Sequence, residues 1–173
     1  MDLVEGLNKM KKKILFVCLG NICRSPAAEG AFKHLIKSKN LEHMFEIDSC
    51  GTAGYHIGEL PHSTTREVSR KRGIQLDHRC RKFDLKDFDY FDFILVMDDS
   101  NYNDVIAKTK NTLHQKKVIK FRKFDEGVSG SPDVPDPYYG GIDGFEEVQD
   151  IVSRSSEGFL NWILKEFKEL SNR

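Results

Sequence analysis

The stretch K-I-L-F-V-C-L-G-N-I-C-R-S-P, Lys13 to Pro26, decides the fold. Its first half, Ile14-Leu15-Phe16-Val17, is an apolar run rich in β-branched and aromatic residues, the pattern of a buried strand. Cys18, Gly20, Asn21, Arg24, Ser25 and Pro26 then break the run, so a strand stops and a helix starts within a few residues. Cys18 and Arg24 bracket the turn, and Gly20 and Asn21 tolerate the left-handed backbone angles that turn several N–H groups inward. The stretch reads as an anion cradle with a thiol at its floor.

Outward from the cradle, Ala27, Ala28, Ala31, Phe32, Leu35 and Ile36 recur at helical spacing, with Ser25 expected as N-cap and Pro26 at the first helical position. Phe45 to Cys50 alternates like a second strand and ends at Gly51, before a glycine-punctuated loop, Thr52 to Gly58, that carries Tyr55 and His56. Pro61 is expected to open a second helix closed by Gly73. Phe93 to Met97 is a third, fully buried strand, and Asp98-Asp99-Ser100-Asn101 suits the cap of the helix after it. Val118, Ile119 and Phe121 mark a fourth strand. The proline- and glycine-rich segment Arg122 to Gly141 reads as a long functional loop, and a final amphipathic helix is expected from about Gly144 to Leu170. This alternation is that of an α/β fold: a single doubly wound domain whose four-stranded parallel sheet carries helices on both faces. Ligands of such sheets bind where loops leave the C-terminal ends of the strands, and the Cys18 loop leaves the first of them.

Composition narrows the function classes. A chain of 173 residues suits one domain; residues 13–173 are read as that domain, and 1–12, with the run K-M-K-K-K, as a flexible extension. Acidic and basic residues cancel at 27 each, so no field of one sign argues for nucleic acid or a membrane surface. No long apolar run or signal-like segment is present, which points to the cytoplasm. The four cysteines, Cys18, Cys23, Cys50 and Cys80, have neither the density of a disulfide scaffold nor a C-x-x-C pair. His34, His43, His56, His62 and His114 are scattered without ligand spacing, so no metal and no cofactor are expected.

A cysteine six positions before an arginine is weak by itself, since a chain of this composition yields such a pair about 0.2 times by chance. The preceding strand, the Gly20-Asn21 turn and the helix start raise its weight, because together they serve oxyanion binding rather than packing. A thiol in that setting is expected to ionise readily, and the planar guanidinium of Arg24 can bind two phosphoryl oxygens at once. Asp136, in P-D-P-Y-Y, would on its own read as a turn former. Tyr55, Tyr138 and Tyr139, in glycine-flanked loops, read as cleft walls.

V-C-L-G-N-I-C-R-S-P from Val17 to Pro26, together with D-P-Y-Y-G-G from Asp136 to Gly141, resembles the low-molecular-weight protein tyrosine phosphatase family. The similarity spans nearly the whole chain, through Asp48 to Thr52, Gly73 to His78, Phe88 to Asn101 and the last helix. It implies a phosphotyrosine protein phosphatase I-like fold and the hydrolysis of phosphotyrosine in protein substrates through a phosphocysteine on Cys18. Arg24 is then the clamp on the phosphoryl oxygens and Asp136 the general acid and base. Leu19, Gly20, Asn21, Ile22, Cys23 and Ser25 complete the cradle for phosphate or other oxyanions. The resemblance further implies that Asn21 is braced by Ser49 and His78, that Ser25 donates toward the thiolate, and that Cys23 can trap an oxidised Cys18 as a reversible disulfide.

Four other readings fit the residues less well. An arsenate reductase needs two further cysteines in a mobile segment, and only Cys80 is in the right region. An arginine phosphatase of this fold has threonine where this chain has Ile22. A non-catalytic phosphate-binding module needs neither Cys18 nor Asp136, and a thiol redox sensor reads better as a regulatory layer on an enzyme.

Overall fold

The structure is a computed structural model, and it describes residues 11–130 and 132–167. Four strands, β1 (Lys12–Cys18), β2 (Phe45–Gly51), β3 (Phe93–Val96) and β4 (Val118–Lys120), form one parallel sheet in the order β2-β1-β3-β4. Around it run α1 (Arg24–Ser38), α2 (Ser63–Lys71), α3 (Asp87–Tyr90), α4 (Asp99–Ile106), α5 (Thr112–Gln115) and α6 (Ile142–Glu166). Strand order reverses at β1, whose neighbours β2 and β3 lie on opposite sides, so the C-terminal end of β1 opens at the switch point of the sheet.

The period of two along β1 divides the core. Ile14, Phe16 and Cys18 face a cluster shared with Ala27, Ala28, Phe32, Val148, Ile151 and Phe159 from α1 and α6. Leu15 and Val17 face the other layer, with Phe83, Phe88, Phe91, Ile94, Val96 and Val105. Both faces of β1 are covered, which is why its sequence is continuously apolar. Phe159 is the hub of the first layer, its ring 5.6 Å from Phe32 and 5.1 Å from Phe124.

Several boundaries shift from the sequence reading. Strand β1 starts at Lys12, whose ammonium sits 4.4 Å above the Phe167 ring; the flexible extension expected before it lies, up to residue 10, outside the described residues. Ser25 is not an N-cap: α1 starts at Arg24 after Cys23, because the Ser25 hydroxyl is engaged with Cys18, Asn21 and the Cys50 carbonyl. Helix α2 opens after His62, whose Nδ1 accepts from the Thr64 amide at 3.1 Å, and not at Pro61. β4 stops at Lys120, and Phe121 begins a 3-10 turn to Phe124. Asp98 does cap α4, its Oδ1 accepting from the Asn101 amide at 2.7 Å.

Candidate active site

The cradle is built by turning carbonyls outward. The Cys18, Leu19 and Ile22 carbonyls accept from the amides of Thr52, Ala53 and His62 at 2.9, 2.9 and 2.8 Å, and the Asn21 carbonyl accepts from the Cys80 thiol at 2.8 Å. Across a trans peptide the next N–H points the opposite way from the carbonyl. The amides of Leu19, Gly20, Ile22 and Cys23 are thereby aimed at the inner side of the loop, over the start of α1.

Asn21 is the residue that bends the loop, at φ 57°, a left-handed conformation that an ordinary side chain adopts only with support. The support is complete. Its Nδ2 donates to Ser25 Oγ at 2.8 Å and Ser49 Oγ at 3.0 Å, while its Oδ1 faces His78 Nε2 at 2.8 Å and accepts from the Arg81 amide at 3.1 Å. Ser49 in turn donates to Glu29 at 2.5 Å, and His78 Nδ1 lies 3.5 Å from both Glu29 and Asp48. Glu29, Asp48 and His78 each bring one atom of metal-ligand type within 4.8 Å of the others. Lys33 and Arg81 already engage the carboxylates of Glu29 and Asp48, and the set reads as the brace behind Asn21.

Gly20, expected to share the left-handed turn, does not have a positive φ. Its bareness serves proximity instead, since a Cβ there would come 3.3 Å from the His56 ring. Gly51 matters more: a Cβ on it would meet the Leu19 carbonyl at 2.6 Å and the Asn21 amide nitrogen at 3.1 Å, so only glycine lets β2 lie this close under the cradle.

Cys18 is 3% exposed at the end of β1, and its Sγ is 3.0 Å from Ser25 Oγ. Arg24, also buried, leaves the first turn of α1 and is held by Asp98 Oδ2 at 2.5 Å and the Val134 carbonyl at 3.1 Å. Its other nitrogen lies 3.6 Å from Asp136 Oδ2. Burial opposes the Arg24 charge, but a thiolate at Cys18 and the carboxylates of Asp98 and Asp136 outweigh it and hold its pKa above the ordinary value. Asp136 is half-exposed across the mouth, with its Oδ1 accepting from the Tyr138 amide at 3.1 Å.

Burial disfavours ionisation of the other three thiols. Cys23 sits in an apolar cluster with Ile22, Val68, Cys80 and Phe145. Burial pushes its pKa up to about 12, against a hydrogen bond from Thr65. Burial likewise raises Cys80 to about 11, and Cys50 well above the usual thiol range.

A cavity of about 210 Å³ opens over this floor. Of the residues expected at the site, Cys18, Leu19, Gly20, Ile22, Cys23, Arg24, Tyr55, Asp136, Tyr138 and Tyr139 line it. Asn21 and Ser25, expected to touch the ligand, are fully buried behind the loop with Ser49, and His78 reaches Asn21 from the same side. The sequence reading missed His56, which also lines the cavity, and Asp98, which it saw only as a helix cap. The position of Asp98, just past the end of β3 and beside the switch point, was the available signal. Glu29 was missed as well, being an acidic residue on an otherwise small and apolar helix face.

The comparisons with known proteins agree with this geometry. Residues 13–170 match the family described as low molecular weight phosphotyrosine protein phosphatase. The chain is 44% identical over 153 residues to the low molecular weight phosphotyrosine protein phosphatase of Schizosaccharomyces pombe, covering 87% of this chain and 96% of that one. It is similar to the crystal structure of a protein tyrosine phosphatase from Entamoeba histolytica with Hepes in the active site, at TM-score 0.85 and 40% identity, covering 91% of this chain and 99% of that one. A Drosophila arginine phosphatase is more distant, at TM-score 0.80 and 31% identity over 87% of this chain and 96% of its own. With its cradle, its fold and these relatives in agreement, the chain belongs to the low molecular weight phosphotyrosine protein phosphatase family.

Proposed function

We propose that this chain hydrolyses phosphotyrosine in proteins, and aryl phosphate monoesters generally, through a phosphocysteine formed on Cys18. The observation that carries the reading is the convergence of Cys18, Arg24 and Asp136 on one small cavity. The phosphoryl oxygens take the inward amides of the loop and the Arg24 fork, which places phosphorus above Cys18 Sγ. The thiolate attacks, an S–P bond forms, and the P–O bond to the phenol breaks. Asp136 gives its proton to the departing oxygen and, once ionised, takes a proton from the water that attacks the phosphocysteine. Phosphate then leaves and the thiolate returns, with the Ser25 hydroxyl 3.0 Å away to stabilise it.

Tyr55, Tyr138, Leu19 and Ile22 give the cavity apolar walls suited to a phenyl ring. Ile22 supports phosphotyrosine over phosphoarginine, because its aliphatic side chain offers a guanidinium no hydrogen bond. Balanced net charge suits a protein substrate rather than nucleic acid, and a nucleophilic thiol suits the reducing cytoplasm. No helix among the described residues is long and apolar enough to cross a membrane. The test is turnover of para-nitrophenyl phosphate in the presence of a chelator. Activity that persists with chelator and disappears in Cys18→Ser supports the reading, whereas turnover that survives that substitution overturns it.

A further inference from the structure

We propose that Lys120 and Asp133 are positioning residues for Asp136: a salt-bridged strut between the edge of the sheet and the loop that carries the acid. The proposal rests on the reading of Asp136 as general acid. Lys120 is the last residue of β4, and its ammonium lies 2.6 Å from Asp133 Oδ1 and 2.9 Å from Asp99 Oδ1. The same Asp133 oxygen accepts from the Asp99 amide at 3.1 Å, at the start of α4. Arg122 holds the Asp133 carbonyl at 2.8 Å. The next residue, Val134, is fully buried; its amide donates to the Met97 carbonyl at 2.7 Å, and its carbonyl accepts from Arg24 at 3.1 Å. Only Pro135, with its fixed φ, separates this anchored pair from Asp136.

The arrangement is more than loop attachment. Backbone bonds at Val134 would suffice to tether the segment, yet the side chain of Lys120 is only 12% exposed and is held between two carboxylates. Asp133 is 47% and Asp99 73% exposed, and pairs with partners this exposed add little stability, so the value of the strut lies in direction. Asp98 and Asp99 are adjacent, one gripping Arg24 and the other engaging Lys120 and Asp133. The phosphate clamp and the acid loop therefore share one fixed reference at the N-terminus of α4. Burial opposes both charges of the strut, yet each partner stabilises the other: Lys120 is held above its usual pKa and Asp133 below.

The experiment compares phenyl phosphate, whose leaving group needs a proton, with dinitrophenyl phosphate, whose leaving group does not. Lys120→Met and Asp133→Asn should lower kcat/KM on phenyl phosphate about tenfold, while kcat/KM on dinitrophenyl phosphate, which reports only phosphocysteine formation, and the inhibition constant of inorganic phosphate stay within about twofold. The double variant should be no worse than the poorer single one, and Lys120→Arg should recover most of the loss. Unchanged phosphate inhibition shows that the cradle is intact, so a misfolded variant is not mistaken for a displaced acid. Equal losses of kcat/KM on both substrates, or no loss on either, overturn the strut. Asp136→Ala run alongside separates the two readings. If its kcat/KM too falls alike on both substrates, the acid assignment falls and the strut with it; if its loss of kcat/KM is selective and that of the strut variants is not, the strut alone falls.

Discussion

Asn21 uses its whole hydrogen-bonding capacity, two donors and two acceptors, to hold one left-handed turn. Two substitutions separate its contributions. Asn21→Gly keeps the conformational freedom and loses the side-chain bonds, whereas Asn21→Ala loses both and adds about 1 kcal/mol of strain. Both should weaken inorganic phosphate inhibition, with Ala the worse and its kcat/KM down about a hundredfold. Equal effects would mean that the backbone angle is not under strain. Cys23 makes a second prediction at this scale. With its thiol pushed up to about 12 by burial, little thiolate is present at neutral pH. After mild peroxide converts Cys18 to its sulfenic acid, closure of a Cys18–Cys23 disulfide with loss of water should be slow and should accelerate as pH rises toward 12. Quenching, alkylation and mass spectrometry at several pH values measure that rate, and a flat profile would contradict it.

At the scale of elements, two joints hold the site's surroundings. Asp125, 2% exposed after the 3-10 turn Phe121–Phe124, pairs with Arg154 on α6 at 3.1 Å. Burial would raise its pKa, but Arg154, the Gly127 amide and Arg122 together draw it below the ordinary carboxylate value. A carboxylate depressed in the folded state stabilises the fold above its unfolded pKa, and the benefit is lost as pH falls through the lowered folded value. Asp125→Asn should therefore lower stability by about 2 kcal/mol near neutrality. The gap in Tm from the parent should close below about pH 4, and a gap independent of pH would remove the ionic account. The second joint is Gly51, where a methyl would press on the Leu19 carbonyl at 2.6 Å. Gly51→Ala should cost about 1–3 kcal/mol and should also weaken phosphate inhibition, because the displaced atoms belong to the cradle.

Much of the molecule was legible in its sequence, for physical reasons that differ from part to part. The strand at Ile14 to Val17 was readable because burial on both faces leaves only apolar residues, and the cradle because a thiol, a left-handed Asn21 and Arg24 have no joint use in packing. Less legible were contacts that depend on strand order. Asp98 reads as a helix cap, and it is one; its grip on Arg24 exists only because β3 is placed beside β1. The Lys120–Asp133 strut likewise joins β4 to a distant loop, and Ser25 reads as a cap until the loop claims its hydroxyl. The whole architecture converges on Cys18 at the switch point, so the decisive measurement is the fate of phosphorus during turnover. Acid quench of the enzyme turning over dinitrophenyl phosphate, followed by peptide mapping, should find phosphate on Cys18, more of it in Asp136→Ala and none in Cys18→Ser. Phosphate on another residue, or turnover with no covalent phosphate in any of the three, would contradict the account.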